Sequence, residues 1–237
     1  MSQLALDLHA VAPPTLDNFV AGRNRECLAR LRALAAGDRG QRFVYLWGAS
    51  GSGRSHLLRA LATHGVRLDA AAPPHAFAFD PGCVLYAADD VHAMDGDRQR
   101  ALFHLFNQVQ ADPRCALVTS GDRPPLALPV REDLRTRLGW GMVFELHLLS
   151  DEEKADVLLT VATERGVTLA PDVVPWMLTH RARDIRALLA LFDALDRYAF
   201  ERKRPITLPL VREWQQRELP PAAGPDPGAP FGRAGAG

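Results

Sequence analysis

Cysteine is scarce in this 237-residue sequence: Cys27, Cys83 and Cys115 are too few and too scattered for a disulfide framework, and no Cys-x-x-Cys pair offers a metal or dithiol site. That usage suits a reducing compartment. Excess charge is also missing, because lysine plus arginine and aspartate plus glutamate stand at 28 each. No overall positive field draws the chain onto nucleic acid or an acidic membrane, so direct DNA binding is disfavoured unless a local patch supplies it. No apolar run approaches the about 18 residues of a membrane span, and no apolar block follows a basic N-terminus as a signal peptide requires. A cytoplasmic protein is expected. The 8 histidines never take His-Glu-x-x-His spacing, which excludes that zinc-hydrolase pattern. Internal repeats and heptad seams are absent too. What is present is 47% hydrophobic residues, in a length that suits one large domain or two small ones.

The informative stretch is Gly48-Ala49-Ser50-Gly51-Ser52-Gly53-Arg54-Ser55. The apolar run Phe43 to Trp47 precedes it, and the helical pattern His56-Leu57-Leu58-Arg59-Ala60-Leu61 follows. Strand, glycine-rich turn and helix are the setting of the G-x-x-x-x-G-K-[ST] loop, whose backbone N–H groups and helix N-terminus cradle phosphates. Gly48, Gly51, Ser52, Gly53, Arg54 and Ser55 are therefore read as nucleotide-binding, with Ser55 also placed to touch Mg²⁺. Arg54 stands where lysine belongs. A planar fork replaces a compact point charge there, so binding can survive while hydrolysis suffers. The plainer alternative is a glycine turn without a ligand.

Downstream, Val84-Leu85-Tyr86-Ala87-Ala88-Asp89-Asp90 reads as a buried parallel strand that delivers two acids to the phosphate site, the Walker B pattern. Asp89 would hold Mg²⁺ through water and Asp90 would act as base or orient water. Two acids after a strand also serve as helix caps. Between loop and acids, residues 67–82 show no helical period and read as a loop or one short strand. Met94-Asp95-Gly96-Asp97 lacks the other ligands of a calcium loop and reads as a turn. A helix over 98–110 carries Leu102, Phe103, Leu105, Phe106 and Val109 on one side as core. Cys115 to Ser120 is another buried strand, followed by Gly121-Asp122-Arg123-Pro124-Pro125. From Leu148 the pattern is helical: a capping box at Ser150 to Glu153 opens a helix that Gly166 closes, and helices near 171–179, 182–202 and 209–216 follow, the last capped by Thr207.

Several of these segments, in this order, resemble the DnaA family of AAA+ proteins from Thr15 to Gln216. Thr15-Leu16-Asp17-Asn18-Phe19-Val20-Ala21-Gly22-Arg23-Asn24 resembles the family's start, which places Phe19, Val20 and Asn24 against the adenine; Phe19 and Val20 also suit a hydrophobic staple. Thr119 to Arg123 resembles the sensor I segment. Asp122 is its sensor, with Thr119 the alternative, although the family form lacks a glycine at the Gly121 place. Thr136-Arg137-Leu138-Gly139-Trp140-Gly141 resembles box VII and makes Arg137 an arginine finger acting on a neighbouring subunit; the bland alternative pairs Arg137 with Glu132 or Asp133, the role read for Arg135. Arg183-Asp184-Ile185-Arg186 resembles the sensor II helix, with Arg183 pointing at the nucleotide and Arg186 the alternative. The interval before Asp89 is short for the family, as if a helix were missing.

The resemblance implies an α/β fold: an AAA+ P-loop NTPase module, with a parallel sheet flanked by helices, followed by a small all-α lid. The expected domains are a flexible arm over 1–14, the nucleotide-binding base over 15–148, the lid over 149–216 and a disordered Pro/Gly/Ala-rich tail over 217–237. Within the arm, Gln3-Leu4-Ala5-Leu6-Asp7-Leu8 resembles the bacterial sliding-clamp-binding hexapeptide, with Gln3, Leu4, Leu6 and Leu8 as the contacts. Nothing after the lid reads as a helix-turn-helix DNA-reading domain. The implied activity is regulatory: the chain would bind ADP or ATP with Mg²⁺, dock on the DNA-loaded clamp of DNA polymerase III, and use Arg137 to promote hydrolysis of ATP held by the DnaA initiator, leaving inactive ADP-bound DnaA. An ATPase of the helicase-loader kind and a non-catalytic clamp adaptor are the alternatives, and homo-oligomerisation stays open. The arm is separable from the rest. Changing Gln3, Leu4 and Leu6 together to alanine is expected to abolish clamp binding in a pull-down while leaving the melting temperature unchanged; undiminished clamp affinity would sink the motif.

Overall fold

The computed structural model describes residues 13–180 and 184–218. Its centre is a five-stranded parallel sheet in the order β2-β3-β4-β1-β5. The strands are β1 (Phe43–Gly48), β2 (Val66–Leu68), β3 (Leu85–Ala88), β4 (Ala116–Gly121) and β5 (Met142–Leu146). A parallel sheet needs crossovers, and the helices that make them cover both faces, which is why β3 and β4 are buried on both sides. On β1, Val44 and Leu46 point into one core and Tyr45 into the other, the period of two that a strand imposes. The first core joins Leu31 and Leu34 of α1 (Arg25–Ala35) to Leu57, Leu58 and Leu61 of α2 (Arg54–Leu61). The second joins Tyr45 and Tyr86 to Leu102, Leu105 and Phe106 of α3 (Gly96–Ala111) and Leu134 of α4 (Glu132–Leu138). The sheet flanked by helices, with a helical lid after it, is the architecture expected.

The structure sets three boundaries, two of them differently from expectation, while residues 67–82, read as a loop or one short strand, hold to that reading. The Met94–Asp97 stretch is the start of α3, not a free turn, because the Asp95 side chain accepts the N–H of Arg98 at 2.9 Å and so caps the helix. Residues 67–82 do complete the sheet: β2 begins at Val66 and pairs with β3 from Val66↔Tyr86 to Leu68↔Ala88. In place of a further helix comes a short 3₁₀ turn, Pro74–Phe77, whose Phe77 is buried in the second core. Thirdly, β4 runs one residue further than Ser120. Gly121 pairs with Trp47 in the ladder, and a Cβ on it would run into the Tyr45 hydroxyl, which donates to the Arg123 carbonyl at 2.7 Å. Glycine is demanded there by close approach.

The chain divides into two compact units, 1–153 and 154–237. The second is helical. In it α5 (Asp151–Glu164), α6 (Val173–His180), α7 (Ile185–Arg202) and α8 (Leu208–Glu218) enclose Leu158, Met177, Leu188, Phe192, Leu195, Leu210 and Val211. The capping box is present: the Ser150 N–H donates to Glu153 Oε2 at 2.8 Å and the Glu153 N–H to Ser150 Oγ at 3.1 Å. Glu213 of α8 receives Tyr198 Oη, Arg202 Nε and Arg204 Nη1 at 3.0–3.1 Å, fixing α8 to the end of α7. Among the described residues no helix is long and apolar enough to cross a membrane. All three cysteines are buried and free, and burial pushes the Cys27 thiol up to about 12.

The Gly121 contact generates a stability prediction. Gly121→Ala should destabilise the protein by about 1–3 kcal/mol through overpacking. Combined with Tyr45→Phe it should cost less than the sum of the single changes, since the clash and the lost hydroxyl share one atom. Urea melts of the four proteins read both values.

Candidate functional site

The carboxyl ends of β1, β3 and β4 lie side by side and bring the site together. After β1 the chain turns through Gly51 and Gly53, both left-handed at φ +84° and +96°. Two positive φ values in three residues are what a loop needs to curl its N–H groups inward, and only glycine takes them without strain. Gly48 is equally constrained, for a Cβ there would strike the Leu146 carbonyl. Ser52 is buried with its Oγ unpartnered, Ser55 lies half-buried in the first turn of α2, and Arg54 opens that helix.

The segment ahead of α1 packs on this loop. Thr15 and Asn18 exchange bonds, Thr15 N–H to Asn18 Oδ1 at 2.8 Å and Asn18 N–H to Thr15 Oγ1 at 3.0 Å, while His56 Nε2 lies 2.9 Å from the Thr15 carbonyl oxygen. This turn delivers Phe19 to the loop so closely that a Cβ on Gly53 would overlap its ring. The Phe19 ring also lies 5.4 Å from that of His56. Phe19 and Val20 are both half-buried. Asn24 instead is buried and bonds both backbone groups of His147, at 2.9 and 2.8 Å. That pairing ties the start of α1 to the strand end after β5.

The two acids after β3 are held by one hydroxyl. Ser120 Oγ donates to Asp89 Oδ1 at 2.7 Å and accepts the N–H of Asp90 at 2.9 Å. Asp89 is 3% exposed, and its Oδ2 lies 3.8 Å from Arg67 Nη2, which pairs with Asp69 at 2.9 Å. Asp90 adopts a left-handed conformation, φ +50°, and its Oδ1 lies 3.5 Å from Arg54 Nη1. Asp122 comes to the same end of the sheet, and the hydrogen bonds from Arg123 hold its carboxyl below the usual range, with His92 adding to the effect. Thr119, the alternative sensor, is buried and bonds the Val44 carbonyl at 3.4 Å. Ser120, His92 and Arg67 were not singled out by motif. A hydroxyl ending a buried strand was the visible signal for Ser120; the turn at Asp90 that places His92 left none.

Arg137 lies on α4, away from any carboxylate among the described residues. Asp133, its bland partner, is engaged by Arg131 at 2.8 Å. The Arg137 guanidinium instead stacks 3.7 Å over the Trp140 ring and 5.9 Å from both Phe103 and Phe106, with Nη1 buried and unpartnered. The alternative sensor II residue, Arg186, pairs with Asp184 at 3.2 Å. Arg183, and the arm residues Gln3, Leu4, Leu6 and Leu8, lie outside the described residues.

The loop fits a polyphosphate on its own geometry: its glycines are left-handed, and the buried Ser52 hydroxyl and the Arg54 Nη1 make no hydrogen bond within the protein. Fold and loop together define an AAA+ module with a helical lid. The structure is similar to AMPPCP-bound DnaA from Aquifex aeolicus (TM-score 0.64, 20% identity, 78% of this chain and 65% of that one, under two thirds of its length). It is similar also to domain III of Thermotoga maritima DnaA (0.66, 18%, 89% and 98%) and to the Thermotoga maritima RuvB branch-migration motor (0.63, 19%, 87% and 72%). Residues 151–214 match the family model described as Hda, lid domain. An uncharacterized Haemophilus influenzae protein is 33% identical over 225 residues, covering 89% of this chain and 97% of that protein. The chain belongs to one family with this relative, its lid matches the Hda type, and its fold is the AAA+ fold of DnaA and RuvB.

Ser120 gives the prediction for the site. Ser120→Ala leaves a buried carboxylate and a backbone N–H without their shared partner, and should cost about 2–3 kcal/mol in chemical denaturation, the range for a hydrogen bond to a charged group. A cost under about 0.5 kcal/mol would mean that the bond carries nothing.

Proposed function

We propose that this protein regulates replication initiation by binding an adenine nucleotide and stimulating hydrolysis of ATP held by DnaA, giving the inactive ADP form. The observation that carries the reading is Arg137: an arginine held flat on Trp140 by aromatic packing, unneutralised by any carboxylate among the described residues, and therefore able to offer its fork elsewhere. A half-buried cation of that kind is useful where negative charge develops on another molecule's terminal phosphate.

In this reading the loop Gly48 to Ser55 holds the phosphates of ADP, with ATP as the competitor, and Phe19 and Val20 border the adenine. Asp122 and Arg183 act as sensors. Ser55 and Asp89 would hold Mg²⁺: a hydroxyl and a buried carboxylate are the hard oxygen donors that ion takes, and bound there it would neutralise phosphate charge. No group of three or more His, Cys, Asp or Glu side chains forms a metal cluster among the described residues, so phosphate and water would complete the shell. Arg54 beside Asp90 favours a nucleotide kept as a switch over one turned over quickly. The arm, through Gln3, Leu4, Leu6 and Leu8, would dock on the DNA-loaded sliding clamp, placing the protein in the cytoplasm at the replisome.

The test is single-turnover hydrolysis of labelled ATP prebound to DnaA of the same organism, with clamp loaded on DNA. Wild-type protein is expected to stimulate hydrolysis only when clamp and nucleotide are both present. Arg137→Ala is expected to abolish the stimulation, since arginine fingers contribute about 10³–10⁵ in rate, and Arg137→Lys, which keeps charge but not the fork, should not restore it. Full stimulation by Arg137→Ala would refute the finger and leave an adaptor.

A further inference from the structure

His92 is used neither by the motifs nor by the proposed function. It lies in the short turn Val91–Ala93 that follows the left-handed Asp90. The turn brings its Nδ1 to 3.9 Å from Asp90 Oδ1 and 4.0 Å from Asp122 Oδ1, between two carboxylates delivered by different strands. On the far side of the same Asp90 oxygen stands Arg54 Nη1, at 3.5 Å. Arg54 Nη1, Asp90 Oδ1 and His92 Nδ1 are all shielded from solvent, and none of the three makes a hydrogen bond. Buried polar atoms without partners are uncommon, and three at one place call for an account.

The charges differ in how they are met. Asp122 has a close cation of its own, Arg123 at 2.7 Å, whereas Asp90 faces, among the described residues, only Arg54 and His92. A terminal phosphate in the loop attracts the Arg54 guanidinium more strongly than one carboxylate does, because it carries more charge and matches the fork. Asp90 then stands uncompensated beside that phosphate, the group that the second acid of a Walker B strand faces. Like charges in a partly buried place repel. The Nδ1 of His92 is the donor within reach, needing only to close from 3.9 Å to hydrogen-bond distance. A diphosphate makes no such demand, since it ends before the place that Asp90 faces.

The geometry points to His92 as a specificity-determining residue: the hydrogen-bond donor that lets the site accept a nucleoside triphosphate beside Asp90 and Asp122. The assignment rests on the reading of the glycine loop as a nucleotide site.

The experiment measures dissociation constants for ADP and for ATP by calorimetry on the full chain, as wild type, His92→Phe and His92→Gln. The phenylalanine keeps a ring without a donor, and the glutamine keeps a donor. His92→Phe is expected to weaken ATP by about tenfold or more while ADP changes by less than about threefold, and His92→Gln is expected to hold the wild-type ratio within about threefold. Adding Asp90→Asn to His92→Phe should bring the ratio back towards wild type, because the uncompensated charge is gone. An unchanged ratio in His92→Phe, or an equal loss of both nucleotides with no recovery in the double variant, would overturn the assignment. Wild-type protein that binds neither nucleotide would overturn the nucleotide-site reading first, and the assignment with it.

Discussion

The hydroxyl of Ser120 is the interaction on which the phosphate end of this protein depends. It donates to one acid and accepts from the backbone of the next, so the end of β4 fixes two consecutive residues at the end of β3. Because the second of them is left-handed, the chain beyond it folds back towards β4 instead of continuing outward. The placement of Asp90 against Arg54, of His92 between two carboxylates and of Asp89 against Arg67 all follow from that single bridge.

The fold was legible where the chemistry is local. Alternation along β1, the left-handed glycines of the loop and the reciprocal bonds of Ser150 and Glu153 are all dictated by residues a few positions apart. The start of α3 was misread for the opposite reason. Asp95-Gly96-Asp97 is rich in turn formers, and only the cap made by the Asp95 side chain shows that the helix has already begun. Residues 67–82 were read as a loop or one short strand, and the structure decides for the strand: three residues of edge strand carry too short a period to settle the choice, while Phe77 earns its place only by packing on a helix far along the chain.

The site was legible in part, and along the same line. The loop and the two acids were visible as residue types at known spacing, and the arginine of α4 through the family resemblance of its segment. Their partners were not. Asn24 was expected against a ligand and instead bonds the backbone of His147, more than a hundred positions away, a contact that no local pattern announces. Arg137 was weighed as half of a surface ion pair, yet the aromatic side chains of α3 and Trp140 hold it, and the helical period had assigned those aromatics wholly to the core. In each case the sequence names the group and the tertiary contact decides its work.

The contact between Gly121 and Tyr45 makes the two positions a single unit. With the phenol hydroxyl lying where a Cβ at position 121 would be, a side chain at 121 is accommodated without cost only where the aromatic at 45 has shrunk or turned aside, so the size of one residue sets what the other can be.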